Sequence, residues 1–159
     1  MHDKKTLTLL ILTVLTLLLP GVVTAQTAGG SGNTFGVFAG VTDFDRGGTN
    51  PTLGLELDHD LDGPWSVGGV AEYSSSGYRG SNSTLLLGTL NYRPPETPRL
   101  KLTGGTGVEF NRYGDDIRLR LGIGYDVVTG PVTLTPRFAF DFGNSRENLV
   151  LGATAYFRF

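Results

Sequence analysis

From Phe35 to the C-terminus, apolar and polar residues alternate in short runs separated by turn-forming segments. The final run shows the pattern most plainly. Ala153, Ala155, Phe157 and Phe159 fall on one side of an extended strand, and Gly152, Thr154, Tyr156 and Arg158 fall on the other, because successive strand side chains point to opposite faces. In the sixth run Ile117, Leu119, Leu121, Ile123, Tyr125 and Val127 alternate with Arg118, Arg120, Gly122, Gly124 and Asp126. In the seventh, Val132, Leu134, Phe138, Phe140 and Phe142 alternate with Thr133, Thr135, Arg137, Ala139 and Asp141. The pattern predicts eight strands, over 34–43, 51–60, 65–74, 83–93, 99–111, 117–127, 132–142 and 149–159. Most are close to the roughly 9–11 residues that a tilted strand needs to cross a bilayer.

The connections are of two kinds. Asp62-Gly63-Pro64, residues 94–98 and Val128-Thr129-Gly130-Pro131 are tight and proline-bearing, whereas 45–50, 75–82, 112–116 and 143–148 are polar and richer in Gly, Asn and Arg. Short turns alternating with longer polar loops are what an even-stranded membrane barrel shows at its two ends. Aromatic residues gather near the run ends: Phe35, Trp65, Tyr92, Tyr125, Phe157 and Phe159 at the turns, and Tyr73, Phe110 and Phe142 at the loops. Rings of this kind settle at headgroup depth. Two features depart from the pattern. The fourth run has leucines on both faces, and Pro136 sits mid-strand, where it lacks a ladder donor.

The expected fold class is therefore all-β, an eight-stranded antiparallel up-and-down transmembrane β-barrel. The chain resembles the small outer-membrane barrels of the OmpA transmembrane domain and OmpX type. Strand count, face pattern and the terminal Gly152, Phe157-Arg158-Phe159 signature carry that resemblance. It implies a bacterial, Gram-negative-type outer membrane, both termini in the periplasm and the longer loops outside. It also implies that Gly152, Phe157 and Phe159 form the signal read by the barrel-assembly machinery. Function is specified poorly, since one fold hosts many jobs.

Strand direction sorts the inward charges into layers: Glu72, Glu109 and Asp141 with Arg118 and Arg120 near the loops, Glu56 with Arg137 at mid-height, and Asp58 and Asp126 with Lys101 and Arg158 near the turns. Each layer is close to neutral, as burial of charge demands. An eight-stranded barrel is just wide enough for side chains to fill. The expected interior is a polar plug held by Arg–carboxylate contacts.

Residues 1–25 read as a cleaved secretory signal peptide, with Lys4 and Lys5, an apolar run from Thr6 to Leu19, and Val23-Thr24-Ala25. The apolar run, about 14 residues, is short for a spanning helix. Residues 26–33 read as a flexible lead-in, and 34–159 as the barrel. After the leader the chain is mildly acidic, with Lys101 its only lysine, ten arginines and fourteen acids. No basic stripe for nucleic acid exists. With no cysteine, there is no acylation site, disulfide framework or thiolate metal site.

Catalysis needs a nucleophile, a base and an orienting group. After the leader the only histidine is His59, at the turn end of the second strand, with no serine completing a constellation. An acyl-chain-modifying enzyme is thus disfavoured, and no cofactor is expected. Asp58, Asp60 and Asp62 match the opening of a calcium loop, but the twelfth position holds Gly69 instead of an acid. The longer loops offer Asp43, Asp45, Arg46, Tyr78, Arg79, Arg112, Tyr113, Asp115, Asp116, Arg146 and Glu147. Together these features predict a non-enzymatic structural or surface-interaction protein. Its expected partners are outer-membrane lipids, lipopolysaccharide and the assembly machinery; the surface ligand is unassigned. A narrow gated channel for ions or very small solutes is the alternative, and a soluble lipocalin-like binder would require the leucine and phenylalanine faces to point inward.

Overall fold

A computed structural model of the chain describes residues 32–44, 48–75, 80–144 and 146–159. Residues 1–25, expected as a signal peptide, most of 26–33, expected as a lead-in, and Asp45, Arg46, Tyr78 and Arg79 lie outside the described residues. The strands are β1 (Asn33–Phe44), β2 (Gly48–Asp60), β3 (Trp65–Ser74), β4 (Ser83–Tyr92), β5 (Leu100–Asn111), β6 (Gly114–Tyr125), β7 (Val127–Thr129), β8 (Val132–Gly143) and β9 (Glu147–Arg158). Each pairs antiparallel with its chain neighbour, apart from the break that separates β6 from β7. β1 then pairs with β9 from Thr34↔Arg158 to Phe44↔Asn148, which closes the sheet. Closure removes the edges that an open sheet would expose to lipid.

Eight staves are built from nine segments. β6 and β7 share one register against β8, with Gly124 opposite Arg137 and Val127 opposite Leu134. The ladder lapses at Tyr125 and Asp126, which stand opposite Pro136 and Thr135 in that register. The Asp126 amide donates instead to the Arg99 carbonyl at 2.7 Å. The proline flagged in the sequence thus sits at the one interruption of this pairing, while Pro136↔Ala153 remains in register on the other side. At the tight turns Gly63 and Gly130 adopt φ of 81° and 61°, a region that glycine enters without a Cβ penalty.

The faces are inverted relative to a soluble protein. Leu53, Leu55 and Leu57 of β2 are 48%, 52% and 56% exposed, and Leu119, Leu121 and Ile123 of β6 are similarly open. Arg118 and Arg120 on the opposite face are 0% and 2% exposed. An apolar outer band of this extent around a charged interior belongs in hydrocarbon. The interior is not uniformly polar, however. Phe38, Ala139 and Val150 form one apolar cluster, and Val70, Leu85 and Leu87 form another. The fourth run's double set of leucines is thereby explained: Leu86 and Leu90 face out, while Leu85 and Leu87 pack inside.

Candidate functional site: the charged barrel interior

Alternation along each strand delivers one inward charge at a time, and the register stacks these charges into a column. At the loop end Glu109 from β5 accepts from Ser83 Oγ at 2.5 Å, meets Arg118 Nη2 at 2.7 Å, and pairs with Arg146. Arg118 also donates Nη1 to the Arg146 carbonyl at 2.8 Å and lies 3.3 Å from Asp116. One level down, Arg120 grips two carboxylates at once. Its Nε and Nη2 donate to Asp141 at 2.6 and 2.7 Å, and its Nη1 and Nη2 donate to the two Glu72 oxygens at 2.7 Å each. A planar guanidinium provides that double fork; an ammonium does not.

Arg137 occupies mid-height, bridging Glu56 and Glu72 with its two terminal nitrogens. Its guanidinium lies over the Phe38 ring, 3.9 Å from the centroid, and its buried Nε has no hydrogen-bond partner. Glu56 also accepts from Tyr156 OH and, at 3.1 Å, from Thr154 Oγ1. Lys101 Nζ donates to Asp58 at 2.6 Å and to Tyr156 OH at 2.7 Å, and Asn91 adds a 3.1 Å bond to Asp58. Asp126 accepts from Thr135 Oγ1 at 2.6 Å and meets Arg93 at 3.1 Å. Below it a polar vestibule of about 520 Å³ opens at the turn end. Between the layers, two cavities of about 10 and 20 Å³ remain, each on the scale of one water molecule.

The column's carboxylates and cations pair with one another, and Ser83, Asn91, Thr135 and Thr154 add hydrogen bonds to the carboxylates, so the buried charges are paired.

No family model matches the chain, nor does any curated protein. Solved structures do. Neisserial surface protein A, NspA, is 11% identical, with a TM-score of 0.60 over 84% of this chain and 100% of its own. Ail of Yersinia pestis, in a phospholipid bilayer nanodisc, is 11% identical, with a TM-score of 0.56 over 82% of this chain and 100% of its own. The N-terminal β-barrel domain of Pseudomonas aeruginosa OprF is 14% identical, with a TM-score of 0.51 over 82% and 100%. This is the fold of the small eight-stranded outer-membrane barrels.

Within this outer-membrane-type barrel, several expected site residues take other places. Arg158 has inward parity but lies at the mouth, where it is exposed and pairs with Asp60 rather than with Asp58 or Asp126. The partner of Asp126 is Arg93, a residue outside the expected network. Arg146, expected on the loop surface, is buried against Glu109. Strand parity could have found both: Arg93 follows Asn91 by two, and Arg146 precedes Asn148 by two. Tyr156, the hydroxyl that links Lys101 to Glu56, was also missed, although it shares the inward face with Thr154.

The calcium candidates do not converge. Asp58 faces Lys101 inside the barrel, Asp60 takes Arg158, and Asp62 is exposed on the turn; no metal-holding group of acids and histidines forms among the described residues. His59 faces outward, with Nδ1 2.8 Å from Asn33 Oδ1. Of the terminal signature, Gly152 has a local structural reason. A Cβ there would lie 2.4 Å from Phe38 Cε2 and 2.5 Å from the Ala39 carbonyl oxygen. Phe159 is exposed, and its amide donates to the Asn33 carbonyl at 3.0 Å.

Proposed function

We propose that the chain is an outer-membrane barrel with its turn end and both termini in the periplasm, acting without catalysis as a structural and surface-interaction protein. The observation that carries this reading is the column itself. Arg120 clamps Glu72 and Asp141 across the lumen, the cavities of about 10 and 20 Å³ beside this clamp are water-sized, and the wider vestibule opens below it at the turn end. A plugged lumen leaves the loop end as the working surface. There Arg112, Tyr113 and Asp115 are exposed on the β5–β6 hairpin, and Tyr and Arg are favoured contact residues. The resemblance to NspA, named as a surface protein, and to Ail, named as an attachment invasion locus protein, is in keeping with that use.

A narrow gated channel is the second reading, favoured by Arg137. Shared between Glu56 and Glu72, and with its side chain 13% exposed, it is the cation best placed to exchange partners. Single-channel recording across a planar bilayer tests both. A silent bilayer, with insertion established by protease protection, is the expected result. Reproducible discrete steps, altered by Arg137→Ala, would overturn the plug in favour of the channel.

A further inference from the structure

Where the Arg120 clamp meets the Glu109 cluster lies the smaller of the two interior cavities, about 10 Å³, with room for one water-sized body. Every residue lining it is buried. The polar part of the lining is built on oxygen. Glu72 and Asp141 come from the clamp, Glu109 comes from the cluster, Thr42, Ser74 and Ser83 bring hydroxyls, and Asn148 brings an amide. No arginine or lysine is among the lining residues, so the guanidiniums that pair these carboxylates stand outside the cavity.

Hydrogen-bond donors are scarce at this wall. Ser83 gives its hydroxyl proton to Glu109 at 2.5 Å. Thr42, Thr52 and Ser74 form a file with steps of 2.7 Å, in which three hydroxyl protons fill two bonds and one is left over. Asn148 spends its Nδ2 on a long 3.5 Å contact with Glu109, and its Oδ1 has no hydrogen-bond partner although the residue is only 3% exposed. A buried acceptor left unpaired is costly, and the groups across the cavity from this one are mostly acceptors too. Charge leans the same way. From mid-height to the loop end, the described residues of the column set Glu56, Glu72, Glu109, Asp116 and Asp141 against Arg118, Arg120, Arg137 and Arg146, one carboxylate more than there are guanidiniums. Nearer the turns, Lys101 and Arg93 match Asp58 and Asp126.

We infer that this cavity binds one dehydrated monovalent cation of sodium size, held by Asn148 Oδ1 together with carboxylate and hydroxyl oxygens of the wall. Hard cations take oxygen ligands, and the cavity presents little else. The single surplus carboxylate calls for one positive charge, and among the described residues the acids form no group of the kind that holds a divalent metal. A water molecule is the competing occupant. It would use the same acceptors but would be indifferent to the salt in which the barrel folds. The site belongs to the buried column, so the inference does not depend on whether the loop end meets a partner or the lumen conducts.

Refolding the barrel into phosphatidylcholine vesicles in sodium chloride or in N-methyl-D-glucamine chloride, at equal ionic strength and pH, separates binding at a site from screening. The organic cation is too large for the cavity. A ligand bound only by the folded state raises stability with the logarithm of its concentration. The expected result is a urea midpoint that climbs by a constant step for each tenfold rise in sodium above the Kd, and that stays flat in Asn148→Leu, which keeps the volume and removes the oxygen. Asn148→Asp puts a carboxylate in the amide's place and is expected to bring the onset of the climb to about tenfold lower sodium. A wild-type midpoint indifferent to sodium overturns the inference in favour of water. So does a sodium response that Asn148→Leu retains, because the ion then acts elsewhere. If Asn148→Leu does not insert, Asn148→Asp decides, and an onset at no lower sodium overturns the site.

Discussion

Two arginines of inward parity show how much setting decides the worth of a charge. Arg120 is enclosed and serves Glu72 and Asp141 together, whereas Arg158 reaches Asp60 at the wet mouth. Removing Arg120 strands two carboxylates with most of their partners gone, so Arg120→Ala is expected to cost about 3–5 kcal/mol. Arg158→Ala should cost about 0–1 kcal/mol, as exposed pairs do. Urea titration of the barrel in lipid vesicles reads both, and comparable losses would contradict the assignment of Arg120 to a closed interior. Arg120→Lys should recover only part of the loss, because an ammonium cannot present two forks. Parity places Glu56, Glu72, Arg120 and Arg137 on the inward face in sequence and structure alike. Which carboxylates Arg120 and Arg137 meet was not legible, because their pairing runs across 21 to 81 residues of sequence and depends on strand stagger. Arg158 illustrates the gap: parity fixes direction, not depth.

Elements were the most readable level, since the period-2 pattern specifies strands wherever one face must differ from the other. The split of one stave into β6 and β7 was not, although Pro136 was visible in the sequence; finding it required knowing that residues 125 and 126 stand opposite 136 and 135. A side-chain bond from Thr135 to Asp126 ties the two staves together across that lapse. Thr135→Val keeps the shape and deletes the donor, leaving the buried carboxylate with Arg93 alone. The expected cost is about 1–3 kcal/mol. The local signature is faster hydrogen exchange at the amides of Val127 to Thr129, which hold a short three-residue ladder. Exchange unchanged there would mean that backbone pairing alone secures β7. The apolar clusters were likewise hidden: nothing in a leucine-rich β4 says that Val70 from β3 packs beside Leu85 and Leu87.

At the scale of the whole molecule, the inverted faces make stability depend on the depth of a residue in its surroundings. Leu121 faces out at mid-height between Phe140 and Gly104, and Val127 faces out near the turn end. Both are about half exposed, so in water an arginine at either position would project freely and cost the same small amount. In a bilayer the two sites differ. Arginine at the midplane of a barrel wall costs about 2–4 kcal/mol, falling to about 0–1 kcal/mol near the interface, where the guanidinium reaches headgroups. Leu121→Arg should therefore destabilise the barrel in phosphatidylcholine vesicles well beyond Val127→Arg, as measured from urea midpoints. A soluble binder with the same strands would have to turn Leu121 and Phe140 inward, which would carry Arg120 and Asp141 onto its surface. Costs graded by depth support a wall set in lipid, and equal costs at the two positions would overturn it.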